Sequence, residues 1–199
     1  MSVILDKPPT TEEFFREFWN KKPFVVRSMI SKKIMATLID GDHLAGLSME
    51  EEIESRLVKK GKKQNDWTCD YGPFQEKDFS KLDEKDWSLL VQNTEKYHDE
   101  TADLLKCFNF SPRWLLDDIM VSFSPKGGTV GAHADSYHVF LVQGKGQRQW
   151  KIANSPTENE DYIKDISLKI LKAPFKGKNI TVEEGDVIYV PPNFAHQGV

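Results

Sequence analysis

Ser122-Phe-Ser-Pro-Lys-Gly-Gly-Thr-Val-Gly-Ala-His-Ala-Asp-Ser-Tyr-His-Val-Phe-Leu-Val-Gln-Gly-Lys-Gly-Gln-Arg-Gln-Trp150 is the stretch whose reading decides the fold. It sets two short runs of β-branched and aromatic residues, 119–123 and 138–142, on either side of a glycine-rich turn that carries His133 and Asp135. The same texture continues outward through 149–152, 180–182 and 187–190, with glycine or proline between the runs. Short strands at such spacing read as an all-β sandwich or barrel. Residues 154–164 are poor in apolar side chains and are expected to be a loop or insertion between strands. No internal repeat is present.

Upstream the pattern is mixed. Residues 1–9 read as a tail, and Thr10-Thr11-Glu12-Glu13 supplies an N-cap and acidic first turn for an amphipathic helix carrying Phe14, Phe15, Phe18 and Trp19. Pro23 ends that helix and 24–27 form a strand. Residues 31–60 read as helical, punctuated by Gly41 and Gly46, with acidic 49–54 opening a second helix. Strands are expected at 67–71 and 87–91, a helix at 101–108, and a shorter one starting at Ser111-Pro112. The expected class is therefore α+β, mainly β with N-terminal helices. Residues 1–116 would flank a β core of 117–199 in one continuous catalytic domain.

With 199 residues, 39% hydrophobic and 11% aromatic, the chain is long enough for one sizeable core. A net charge of -4 argues against a surface that is basic throughout, so no direct nucleic-acid partner is expected. Cys69 and Cys107 form no CxxC pair, and no run approaches the roughly 18 apolar residues of a membrane span. A soluble, cytoplasmic protein with free thiols is the expectation.

His133 and Asp135 are two apart, a spacing that on a strand turns both side chains to one face. A third donor, His196, follows the 187–190 run in Val190-Pro-Pro-Asn-Phe-Ala-His196. Two neutral imidazoles and one carboxylate leave the opposite side of a metal open, as non-haem Fe(II) oxygenases require for a 2-oxo acid and O2. An HxD pair by itself is weak, because such spacings arise by chance.

Arg148 adds weight through parity, since it shares a strand face with Trp150 and Ile152 and so points to the apolar side. A buried guanidinium needs a counter-charge, and the distal carboxylate of 2-oxoglutarate would supply one bidentately. A structural salt bridge or an arginine snorkelling at a sheet edge satisfies the same parity. Ser124, at the end of the preceding strand, would add a hydrogen bond to that carboxylate. His138 has the opposite parity to the pair, His43 and His98 lie in charged helix or loop, and Tyr137 shares the ligand face.

Taken together, Asp117-Asp-Ile-Met-Val-Ser-Phe-Ser124, Gly131-Ala-His-Ala-Asp-Ser-Tyr-His-Val-Phe-Leu-Val-Gln-Gly144, Arg148-Gln-Trp150 and Gly185-Asp-Val-Ile-Tyr-Val-Pro-Pro-Asn-Phe-Ala-His196 closely resemble the JmjC-type ribosomal oxygenases. The likeness is particularly to the bacterial YcfD-type ribosomal protein arginine hydroxylases. The resemblance implies a cupin-like double-stranded β-helix, or jelly roll. It also implies Fe(II) on the catalytic residues His133, Asp135 and His196, with 2-oxoglutarate on Arg148 and Ser124 and O2 as the second cosubstrate. The implied reaction is hydroxylation of an arginine β-carbon in a large-subunit ribosomal protein.

Such proteins continue past the distal histidine into a closing strand, a dimerising helical region and a winged-helix-like domain. The chain ending at Val199 is thus expected to lack these parts and to hold His196 on a poorly paired, exposed edge. A full-length form would be a homodimer. Two other readings stand beside the oxygenase. One is a different metal-dependent cupin enzyme, although the usual HxH with a nearby glutamate is absent and Glu158 is the first glutamate to follow. The other is an inactive, truncated binding module.

Overall fold

A computed structural model describes residues 3–63, 66–158 and 161–199. Its strands, in chain order, are β1 (Val3–Leu5), β2 (Phe24–Val26), β3 (Ser55–Lys60), β4 (Trp67–Tyr71), β5 (Trp87–Val91), β6 (Val121–Phe123), β7 (Val139–Val142), β8 (Gln147–Ala153), β9 (Gly177–Glu183), β10 (Val187–Val190) and β11 (His196–Gly198). Short helices α1 (Thr11–Glu13), α2 (Lys32–Met35), α3 (Gly41–Leu47), α4 (Glu76–Phe79) and α5 (Asp99–Asp103) lie between the early strands. Three sheets result, ordered β1-β2-β10-β7, β11-β8-β9 and β4-β3-β5-β6.

Alternation explains how the first sheet is buried on both sides. Phe24, Val26, Val187 and Tyr189 face the N-terminal helical layer and meet Phe14, Phe18, Met35, Leu104, Phe108 and Phe110. Val25, Ile188 and Val190 point the other way, against Ile152, Val182 and Phe194 of the β8 side. A strand covered on both faces has no polar side to display, which is why 187–190 is an unbroken apolar run. The third sheet behaves likewise. Leu57, Leu89 and Val91 pack under α3 with Leu44, whereas Val58, Leu90 and Trp67 meet Ile163 and Ile170. The strands of 1–116 are therefore hydrogen bonded into the same sheets as those of 117–199.

Thr10 caps α1 as expected. Its hydroxyl accepts from Glu13 N at 3.2 Å while the Glu13 carboxylate takes Thr10 N at 2.8 Å, a reciprocal capping box. The chain then continues through a wide π-turn, Phe14–Phe18, which delivers Phe14 and Phe18 into the core.

Two sequence expectations fail here. The supposed tail contributes β1, parallel to β2 with Val3 opposite Phe24. The helical reading of 31–60 gives way after α3: residues 49–54 form turns, and Ser55–Lys60 is a strand bonded to β4 and β5. Neighbouring Leu57 and Val58 fill separate cores on opposite faces, which a strand permits and one helix face does not.

The segment joining β8 to β9 runs longer than expected and, outside the undescribed 159–160, is not a solvated loop throughout. It buries Ile163, Ile170 and Leu171, and Leu171 N donates to Ala132 O at 2.7 Å. This segment braces the turn that carries His133.

Asp186, 4% exposed, locks the turn between β9 and β10. Its carboxylate accepts from Ser28 N at 2.8 Å and Glu183 N at 3.0 Å and pairs with Arg27. Burial pushes its pKa up, but those backbone donors and the guanidinium outweigh burial and hold it below the usual carboxylate value. Asp186→Ala leaves two part-buried N–H groups and the Arg27 guanidinium without their acceptor and should cost about 1–2 kcal/mol, read as a lower urea midpoint at unchanged m-value.

Candidate metal centre

Three chain segments build the site. Gly131, at φ +82, turns the chain ahead of His133, and a Cβ there would meet Ile170 Cγ2 at 2.8 Å. Glycine is needed at this position both for its backbone angle and for the braced contact. His133 and His196 then form an antiparallel bridge, with His133 N to His196 O at 3.0 Å and His196 N to His133 O at 2.8 Å. On its other side His196 pairs with Ile152 of β8, and Ala153 N donates to Ala195 O at 2.8 Å. The edge expected to be loose is thus bonded along both sides. Asp135 is held through its carbonyl, which accepts Asn193 N at 2.7 Å from the turn before β11.

The three side chains converge. His133 Nε2 and His196 Nε2 lie 3.8 and 3.5 Å from Asp135 Oδ2, and one ligand atom from each residue falls within 4.8 Å of the others. Each imidazole turns Nδ1 to a carbonyl two residues earlier, His133 to Gly131 O at 3.1 Å and His196 to Phe194 O at 3.0 Å. A carbonyl only accepts, so both Nδ1 atoms carry the proton and both Nε2 lone pairs face the shared space.

Burial, helped by neighbouring His133 and opposed by the Phe194 carbonyl, lowers the His196 pKa to about 3, so this 2% exposed ring is neutral. Burial likewise raises the Asp135 pKa, with His133 and Arg56 opposing. A carboxylate and two imidazoles whose Nε2 atoms converge are the donor set of a divalent first-row metal.

Arg148, on β8, is half-buried and shares the face of Trp150, over whose ring its guanidinium carbon lies at 5.9 Å. Burial lowers its pKa, and among the described residues no carboxylate counters the shift. Ser124, just past β6, is joined to Ser88 by a 2.7 Å hydroxyl contact and not to Arg148. His138 turns away from the triad as its parity requires: it stacks on Trp19 at 3.5 Å and its Nδ1 lies 2.7 Å from the Tyr189 hydroxyl. His43 is exposed on α3, and His98 caps α5 by accepting from Thr101 N. Tyr137 is 63% exposed, so it is a rim residue and not a packed core one.

Residue-by-residue reading of the sequence missed Asp118 and Arg56. Asp118 has its pKa raised by burial and by Glu95 and Asp117, and it accepts from Gln92 Nε2 at 2.9 Å. After burial, Asp135, Arg56 and Asp118 are the charges that act on Tyr137, so Arg56 and Asp118, one of each sign, join the triad's own carboxylate around that ring. The only sequence signal was the Asp117-Asp118 pair, which reads equally as solvated charge.

Fold and site together resemble a JmjC-type double-stranded β-helix, and residues 103–199 match the family described as the JmjC domain. Among curated proteins the chain is 39% identical over 194 residues to a probable ribosomal oxygenase of Haemophilus influenzae, covering 96% of this chain and 46% of that one. It is 38% identical over 187 residues to the ribosomal protein uL16 3-hydroxylase of Escherichia coli, covering 94% and 48%. The structure of the Escherichia coli ribosomal oxygenase YcfD in complex with cobalt and 2-oxoglutarate superposes with a TM-score of 0.79 at 36% identity, over 94% of this chain and 47% of that one. The chain spans about half the length of the curated relatives it matches.

The lowered His196 pKa has a pH consequence. Between pH 6.5 and about 3 the unfolded chain binds a proton that the folded chain refuses, so stability rises with pH across that window and is lost as pH falls through it. Urea unfolding of the metal-free protein at several pH values should show this slope, and His196→Asn should flatten it by about one proton.

Proposed function

We propose that this chain is the catalytic part of an Fe(II)- and 2-oxoglutarate-dependent protein hydroxylase acting on the β-carbon of an arginine in a large-subunit ribosomal protein. The observation that carries the reading is the convergence of the two Nε2 lone pairs and the Asp135 carboxylate, with an uncompensated Arg148 on the same side of β8. His133, Asp135 and His196 would hold the metal, which would supply the redox chemistry that activates O2 towards a C–H bond, with 2-oxoglutarate as the two-electron reductant.

The protein's own part is orientation. Arg148 would grip the distal cosubstrate carboxylate with two N–H donors, and Ser124 would share that carboxylate after turning from Ser88. The Gly131 and Phe194 carbonyls keep the two rings in one tautomer, so no proton must leave Nε2 before ligation. Asp118, backed by Glu95 and Asp117, favours a cationic side chain at the mouth, and the face of Tyr137 is open for its aliphatic part. The relatives' names, a ribosomal oxygenase and a uL16 3-hydroxylase, support the same substrate class. A ribosomal substrate would support a cytoplasmic location; no helix among the described residues is long and apolar enough to cross a membrane. The sheets shared between 1–116 and 117–199 support treating both as one catalytic domain.

Anaerobic addition of Fe(II) and 2-oxoglutarate should produce a metal-to-ligand charge-transfer band, and its absence would reject the oxygenase reading. Arg148→Ala should weaken 2-oxoglutarate binding by roughly ten- to a hundredfold while sparing the metal. Asp118→Asn should raise the KM for an arginine-containing ribosomal peptide and leave that for 2-oxoglutarate unchanged. Peptide mass spectrometry should show the gain of one oxygen atom on arginine; an unmodified peptide beside ongoing succinate production would reject the substrate.

A further inference from the structure

β11 is antiparallel to β8 with His196 opposite Ile152 and Gly198 opposite Trp150. Alternation along both strands therefore sets Arg148, Trp150, Ile152, His196 and Gly198 on one face. The Trp150 ring occupies the middle of that row, with centroid distances of 5.9 Å to the His196 ring and 5.9 Å to the Arg148 guanidinium carbon. Gly198 is buried beneath it.

Nothing about the backbone asks for glycine at 198, because its φ is not among the positive values. What the position requires is space. A Cβ at 198 would stand 2.9 Å from Trp150 Cη2, 2.9 Å from Cζ2 and 3.0 Å from Arg148 Cδ, closer than carbon atoms approach. The backbone has little room to retreat, since Gln149 and Val199 exchange two hydrogen bonds of 2.9 Å immediately beyond and His196 is bonded on both sides. An added methyl must displace the indole or the arginine stem.

We propose that Gly198 is a positioning residue for the cosubstrate anchor: its bare backbone is the seat on which Trp150 and Arg148 lie, and it sets the guanidinium at its working distance from His196. The inference rests on the assignment of Arg148 to the 2-oxoglutarate carboxylate. A guanidinium displaced along β8 loses bidentate geometry towards a carboxylate whose other end is held at the metal, whereas the three metal ligands keep their places.

The test is calorimetric titration of the whole chain with Co(II), then with 2-oxoglutarate onto the Co(II)-loaded protein. Gly198→Ala should weaken 2-oxoglutarate roughly tenfold or more with Co(II) affinity and melting temperature little changed, and should raise the KM for 2-oxoglutarate more than it lowers kcat. Gly144→Ala, with open space around its Cβ, should do neither. Trp150→Phe removes the two contacted ring atoms, so adding it to Gly198→Ala should restore much of the lost affinity, a coupling that mere destabilisation would not give. Wild-type 2-oxoglutarate affinity in Gly198→Ala overturns the proposal, as does parallel loss of Co(II) and 2-oxoglutarate binding that Trp150→Phe does not relieve. If the unaltered chain binds no 2-oxoglutarate, or Arg148→Ala binds it normally, the cosubstrate assignment falls and takes this inference with it.

Discussion

The peptide groups around His196 are hydrogen bonded to His133 across one edge and to β8 across the other, and this double pairing sets the distances at the candidate centre. One register brings the two imidazoles to 4.3 Å between ring centroids and turns His196 onto the face of Trp150 and Arg148. A slip of one residue would reverse every side chain of β11 and carry the imidazole to the other side. The Asn193–Asp135 hydrogen bond ties the carboxylate's segment to the same turn, so all three donors share one rigid frame.

Burial does opposite things to the charges on that frame. It keeps His196 neutral and its Nε2 available, while it makes ionised Asp135 costly until a cation offsets it. Arg148 carries the complementary imbalance, a positive charge partly removed from water with no carboxylate among the described residues to answer it. A cation at the triad and an anion at Arg148 relieve both, and a dianionic metal chelator satisfies the two demands with one molecule. Asp118, with its pKa raised by burial and by Glu95 and Asp117, stands beside the exposed Tyr137.

Much of the frame was legible because its signals are local. The Thr10 capping box, the strands at 87–91 and 187–190, and the parity that separates Arg148 from His138 each depend on residues a few positions apart. Residues 55–60 were misread because the partners that make them a strand, β4 and β5, lie downstream and local pattern cannot see them. The tail at 3–5 failed for the same reason, its partner β2 being the far side of a helix. Ser124 shows a subtler limit: its position past β6 was foreseen, yet its contact with Ser88 depends on how β5 and β6 pair.

By itself the sequence determined the donor types, the order of the strands around them and the inward parity of Arg148, since these follow from residue chemistry and a two-residue period. Only the tertiary structure decided that His196 is firmly held, that both rings present Nε2, that Arg56 stands near Asp135 and Asp118 near Tyr137, and that Gly198 must lack a side chain. Those facts depend on the register between segments about sixty residues apart in the chain, and register is set by the packing of whole sheets, which no local pattern encodes.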